Sequence, residues 1–453
     1  MTRVRPLREW LSASRPDDMP VAWLGEQTWT LAHLRQDVAL LMGQLQHQDG
    51  ERWALCFENS YLFLVALLAT LSARKTPVIP GHCRLSQLEE QRALFHGVLS
   101  DKAPGWQGIH IVVNSANSAE PLDASLPAIA ETSVIELFTS GSTGRPKQVV
   151  KSIAVLEKEA ELLATRFADR LAGCRVVASV VPLHLYGLTF RIILPMALGL
   201  PLHAAMLSYP EQLAALGHEH RYLFVSSPAF LKRLDPNLTA PPVSMVLCAG
   251  GLLRWEEATG AQRWFGLSPD EIYGSTETGV LAWRYRERDE TPWLAFPGVR
   301  ITADKGAFHV HSPLIADPCG LPLDDLLQFD EDGRFQLNGR QDRVVKIEDK
   351  RISLSEIEQR LMAQDGILDA CALALTRAGR QCIGVLVVLD KTHDRTWQDG
   401  NRKALERAWR RALMPWLEPV AIPRYWRVIN EIPVNSMNKR VSAQLQELFN
   451  ETP

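Results

Sequence analysis

Apolar residues recur at helical spacing over 31–46, and the short apolar run 53–57 that follows reads as a strand. Residues 62–73 are apolar all round, which predicts a helix inside a core. The segment 75–80 is strand-like and closed by proline. A further strand is expected at 133–138. The helix expected over 155–171 places Leu156, Leu163, Phe167 and Leu171 near one face, with Glu157, Lys158, Glu161 and Arg170 outside. Strands follow at 176–181, 222–226 and 245–249, with helices between. Such alternation predicts an α/β fold, a parallel or mixed sheet wrapped by helices. The turn-rich stretch 105–127 breaks the pattern and reads as an edge hairpin or surface excursion.

The pattern changes again at Leu337-Asn-Gly-Arg340. Beyond it a helix (355–363), two strands (369–375, 381–389), a helix (402–413) and a strand (424–429) suggest a small α+β domain. The expected division is 1–341 for a large N-terminal domain and 342–453 for a small, mobile C-terminal one. At 453 residues more than one core is needed. The net charge of −3 argues against a general nucleic-acid binder. Residues 1–20 lack an apolar stretch of export-signal length, and the longest apolar run, 61–73, is too short to span a bilayer, so no membrane insertion is expected. Seven cysteines without C-x-x-C spacing fit reduced thiols and a cytoplasmic setting. His309 and His311 alternate on one strand face and read as a surface pair, since no third ligand stands near.

The richest chemistry lies in Glu136-Leu-Phe-Thr-Ser-Gly-Ser-Thr-Gly-Arg-Pro-Lys147, a strand running into a hydroxyl- and glycine-rich turn. Thr139, Ser140, Gly141, Ser142, Thr143 and Gly144 offer converging N–H and hydroxyl donors, and Lys147 adds a point charge. This suits a triphosphate, although Gly-x-x-x-x-Gly-Lys-Ser/Thr is not matched. A flexible Ser/Gly surface loop is the plain alternative. Three more segments follow in order: Tyr273-Gly-Ser-Thr-Glu-Thr-Gly279, Gly339-Arg-Gln-Asp-Arg-Val-Val-Lys346 and Pro433-Val-Asn-Ser-Met-Asn-Lys439.

Together, from about Trp23 to Arg440, these motifs resemble the adenylate-forming superfamily of acyl- and aryl-CoA synthetases and stand-alone adenylation enzymes. The resemblance implies ATP- and Mg²⁺-dependent activation of a small-molecule carboxylic acid, aryl or fatty/medium-chain. Transfer to a phosphopantetheine thiol of CoA, or of an acyl carrier protein acting in trans, would follow. It also implies roles. The 139–144 turn and Lys147 would hold phosphates; Glu277 would bind magnesium and Thr276 the α-phosphate. Tyr273 and Gly274 would lie along adenine, and Gly250 and Gly251 would wall the pocket. His184 would stand beside the substrate carboxylate, or be a core histidine. Asp325, or its neighbour Asp324, would bind ribose, with Arg340 on the ribose or phosphate side. Lys439 would be the catalytic cation and Asp342 the hinge.

The chain departs from the family pattern at Asn435, Asn438 and Asp349, where threonine, glycine and glycine are usual. Asparagine tolerates a left-handed backbone, whereas an aspartate at 349 bears on the route of the thiol. Two rivals stand beside the ligase reading: luciferase-like oxidation of an acyl-adenylate, and a non-catalytic nucleotide-binding regulator.

Overall fold

The computed structural model describes the chain apart from residues 1–3, 82, 103–104, 117–125, 141–145, 305–306, 341–342, 348–349, 378–379, 418, 435–439 and 451–453. The chain forms two compact units, 1–300 with 311–321, and 301–310 with 322–453. The sequence places the boundary at Asp342, which lies outside the described residues.

Two sheets build the first unit among the described residues. The six-stranded sheet runs Ile109–Val112, Gly97–Ser100, Arg52–Cys56, Thr76–Ile79, Val134–Ser140 and Pro146–Ser152. All neighbours pair parallel except the last two, which form a hairpin with Thr139 opposite Lys147. The nine-stranded sheet runs Leu294–Ala295, Gly279–Tyr285, Asp270–Ser275, Val243–Cys248, Tyr222–Ser226, Arg175–Ala178, Leu202–His203, Pro20–Leu24 and Gln27–Thr30. Its centre is parallel and its two margins antiparallel. This is the mixed α/β architecture that the alternating pattern predicts.

Two helices explain how the sheets share one core. Ser60–Ser72 is capped by the Asn59 side chain, which accepts from the Tyr61 and Leu62 amides, and nearly every residue of it is buried. It packs on the Arg52–Cys56 and Thr76–Ile79 strands and on Leu202–His203 of the other sheet. That placement is why it is apolar all round; each buried Leu or Phe contributes about 1.5–3 kcal/mol. Ile153–Leu171 starts where the Ser152 hydroxyl accepts from the Val155 amide. Leu156, Leu163, Phe167 and Leu171 are buried, and Glu159 is buried among them.

One expectation needs correction. The 105–127 stretch contains no hairpin among its described residues. Ile109–Val112 pairs parallel with Gly97–Ser100 and so forms a sheet edge after a short crossover. The crossover is pinned by Trp106, buried against Phe95 with ring centroids 5.5 Å apart.

In the second unit, Ile367–Arg377 and Arg380–Leu389 form a long hairpin, and Tyr425–Val428 adds parallel to its second strand. The Leu354–Met362 and Arg402–Leu413 helices supply Ile357, Leu361, Trp409 and Leu413 to a core shared with Val385, Val387 and Trp426. Trp409 stacks on Trp426 at 5.4 Å. Nearer the start of this unit, the hairpin of Asp325–Phe329 with Phe335–Arg340 is in register Asp325↔Arg340.

Candidate active site

In open parallel sheets ligands gather outside the carboxyl ends of the strands, and there the first unit assembles most of its predicted site residues. Ser179 and Ser226, each at or just past a strand end, bring their hydroxyls to 3.0 Å. The buried Tyr186 hydroxyl donates to the Ser226 carbonyl at 2.9 Å. Beyond the Val243–Cys248 strand, Gly250 and Gly251 are exposed, and a Cβ on Gly251 would lie 3.8 Å from Pro228. His184 precedes the Leu185–Leu188 helix, and its ring stands 3.6 Å from where a Cβ on Gly81 would be. Gly81 in turn faces the Phe138 carbonyl, one residue before Thr139. Tyr273 is half-buried and tilted against Trp293 at 5.8 Å, and the Arg284 guanidinium covers Trp293.

The centre of the arrangement is the tight turn between Asp270–Ser275 and Gly279–Tyr285, which carries Thr276 and Glu277. Ser275 and Thr278 close it: the Thr278 amide donates to the Ser275 hydroxyl, and the Ser275 amide to the Thr278 hydroxyl, each at 3.1 Å. Two glycines are required by close approach. A Cβ on Gly274 would lie 2.2 Å from the Gly279 carbonyl oxygen. Gly279 has φ +71°, and its Cβ would press on Glu159 and Leu314 at 2.8 Å.

Lysines from the neighbouring sheet reach this turn. Lys147 Nζ donates to Glu277 Oε1 at 2.8 Å, and Lys151 Nζ donates to the Glu277 backbone carbonyl at 2.7 Å. Both lysines lie on the same face of the Pro146–Ser152 strand, as residues four apart must. Burial works to raise the Glu277 carboxyl, but the Lys147 hydrogen bond, a backbone N–H and the Lys147 charge outweigh it and hold the group below the usual range. Glu277 therefore stays ionised near neutral pH. It points at the side of the 139–147 hairpin where phosphates are expected.

Behind the turn lies a buried carboxyl, Glu159, that the sequence does not single out. Glu159 accepts from the Thr189 hydroxyl and from the Val280 amide, each at 2.8 Å. Burial raises its carboxyl, opposed by those two hydrogen bonds and by Lys151. Burial lowers Lys151, opposed by Glu159 and Glu277. The signal was available: Glu159 falls three residues after Leu156 and four before Leu163, inside the apolar stripe of its helix.

Other predicted residues belong to the second unit. The register Asp325↔Arg340 brings the two expected ribose contacts opposite one another, whereas Asp324 is exposed and precedes the strand. Gly141, Ser142, Thr143, Gly144, Asp342, Asp349 and Lys439 lie outside the described residues. Arg440, directly after Lys439, is firmly held. Its Nη2 donates to both Asp369 oxygens at 2.8 and 2.7 Å, and its Nη1 to the Ala370 carbonyl at 2.7 Å.

Sheet edge, hairpin and lowered turn carboxylate stand together in an α/β protein. Residues 85–302 of the chain match the family described as AMP-binding enzyme. The chain is 30% identical over 260 residues to a 4-coumarate–CoA ligase of Cereibacter sphaeroides, an alignment covering 56% of this chain and 58% of that protein. A 4-coumarate–CoA ligase of Halorhodospira halophila is 28% identical over 69% of this chain and 76% of its own length. The fold is that of ATP-bound MatB from Rhodopseudomonas palustris, with TM-score 0.80 and 19% identity over 98% of this chain and 99% of that one.

Proposed function

We propose that this protein couples ATP to a carboxylic acid and then passes the acyl group to a thiol. A substrate carboxylate oxygen attacks the α-phosphorus, pyrophosphate leaves, and an acyl-AMP remains. A phosphopantetheine thiolate of CoA or of a carrier protein then attacks the acyl carbon, and AMP leaves. Such chemistry calls for positioning and charge stabilisation more than for covalent catalysis. An aryl acid is the favoured substrate, because 4-coumarate–CoA ligases are among the relatives.

The observation that carries the reading is the Lys147–Glu277 contact at 2.8 Å, which joins the phosphate hairpin to the Thr276–Glu277 turn at the sheet edge. Lys147 would meet phosphate oxygens, and Thr276 would hydrogen-bond the α-phosphate. Glu277 fits a magnesium ligand, being ionised and half-exposed. Magnesium, when bound, offsets the charge of the β- and γ-phosphates. Asp325 and Arg340 would take the ribose side, Lys439 the charge developing between carboxylate and α-phosphate, and Asp342 the hinge. ATP–pyrophosphate exchange across a panel of aryl and fatty acids tests the first step; acyl transfer to CoA and to carrier proteins tests the second. No exchange with any acid would sink the reading.

A further inference from the structure

The Arg402–Leu413 helix presents two unlike faces. Leu405, Trp409 and Leu413 turn inward to the core of the second unit. Lys403, Arg407 and Arg411, spaced four apart, are exposed in one row along the other side. Past the helix end the row meets two exposed apolar side chains, Met414 at 62% and Trp416 at 59% exposure, and the Arg360 guanidinium sits 4.2 Å above the Trp416 ring. Among the described residues no carboxylate pairs with the three cations of the row. The one acid of the helix, Glu406, is taken by Arg402 at 2.8 Å. The positive row therefore stands out on a chain whose net charge is −3.

We propose that this face docks a small acidic carrier protein bearing the phosphopantetheine thiol. The inference rests on the acyl-transfer reading above and selects the protein-borne thiol as an acceptor. Arginine forks suit carboxylates on a partner helix, and Met414 with Trp416 supplies an apolar anchor beside them. A membrane surface suits this face less well. An interfacial helix inserts its apolar face into the bilayer, and here that face is already consumed by the core. A nucleic acid is disfavoured by the negative charge of the whole chain.

The test uses the full chain, the triple variant Lys403→Glu/Arg407→Glu/Arg411→Glu, and a panel of purified holo acyl carrier proteins with free CoA as comparator. The wild type should acylate at least one carrier. The variant should raise KM for it about tenfold or more, with most of the effect lost at high salt, as expected when rim charges set encounter. Pyrophosphate exchange and KM for CoA should not move. Acylation of CoA with no carrier in the panel accepted would overturn the docking proposal alone. Equal loss of exchange and carrier acylation in the variant would show a structural role and overturn it too. Binding to phosphatidylglycerol vesicles that the triple variant abolishes, with carrier kinetics unchanged, would give the face to a membrane. Failure of exchange in the wild type is a separate result, which removes the acyl-transfer reading and this proposal with it.

Discussion

The two units hold their expected reactive residues in different ways. In the first, the Thr276–Glu277 turn is braced from several sides: Lys147 on its carboxylate, Lys151 on its carbonyl, and Glu159 on the Val280 amide just beyond it. In the second, Arg440, the residue after Lys439, is held by a fork onto Asp369. Buried ions demand a complete set of partners, so the first arrangement tolerates little displacement. A single fork sets direction at one point. Under the proposed function the difference amounts to a division of labour: the first unit would hold the phosphates, and the second would supply Lys439 next to an anchored Arg440.

The sharpest break of that comparison is Lys439→Ala. If Lys439 stabilises charge in the transition state, pyrophosphate exchange should fall about 100- to 1,000-fold or more, as when one oxyanion donor is lost. The thermal midpoint should stay within a degree or two of wild type if the lysine serves the reaction and not the fold. Near-normal exchange would reassign the lysine to the solvent.

On the other side of the comparison stand Lys151 and Glu159. Lys151→Met, which leaves the Glu277 carbonyl without its donor, and Glu159→Leu, which strands the Thr189 hydroxyl and the Val280 amide, should each destabilise by about 1–3 kcal/mol. The double variant should lose somewhat less than the sum of the two, because the opposite charges act on one another across the interior. Denaturant titration of all four proteins closes the cycle. Additive losses would show that the two side chains do not work as a pair.

How far the sequence foretold this division depends on which forces write themselves locally. Helical and strand periodicity located Ile153–Leu171, Tyr222–Ser226 and Arg402–Leu413 closely, because each buries one face against a neighbour. The motifs pointed to Lys147, Thr276 and Glu277, and the fold brings the hairpin and the turn together. Long-range pairing was not legible. Nothing local says that Lys151 will meet a carbonyl 126 residues away, or that Ile109–Val112 will pair parallel. Glu159 went unremarked for another reason: an acid in an apolar stripe looks like a break in the pattern until its partners are known.

Arg440→Gln is a smaller perturbation than either. It should lower exchange about tenfold by letting Lys439 drift, within the range that a misplacement of about 1 Å can cost. KM for ATP should change little, since the phosphates are gripped in the first unit. A comparable loss in Asp369→Asn would support the anchor. A change in KM alone, with kcat kept, would point to nucleotide contact instead.

The mildest expected effect separates binding from stability at Lys147. Its side chain is 59% exposed, so the ion pair with Glu277 should contribute less than about 1 kcal/mol after solvent screening. Glu277 is depressed in the fold, so whatever it contributes is present above the ordinary glutamate value of about 4.3 and fades as pH falls through its lower folded value. Lys147→Ala should therefore flatten a shallow acid-side slope in the thermal midpoint and leave the midpoint at pH 7 nearly unchanged. Its KM for ATP should rise severalfold, because the charge facing the phosphates is gone. A large stability loss at neutral pH with KM intact would show that the contact serves the fold and not the nucleotide.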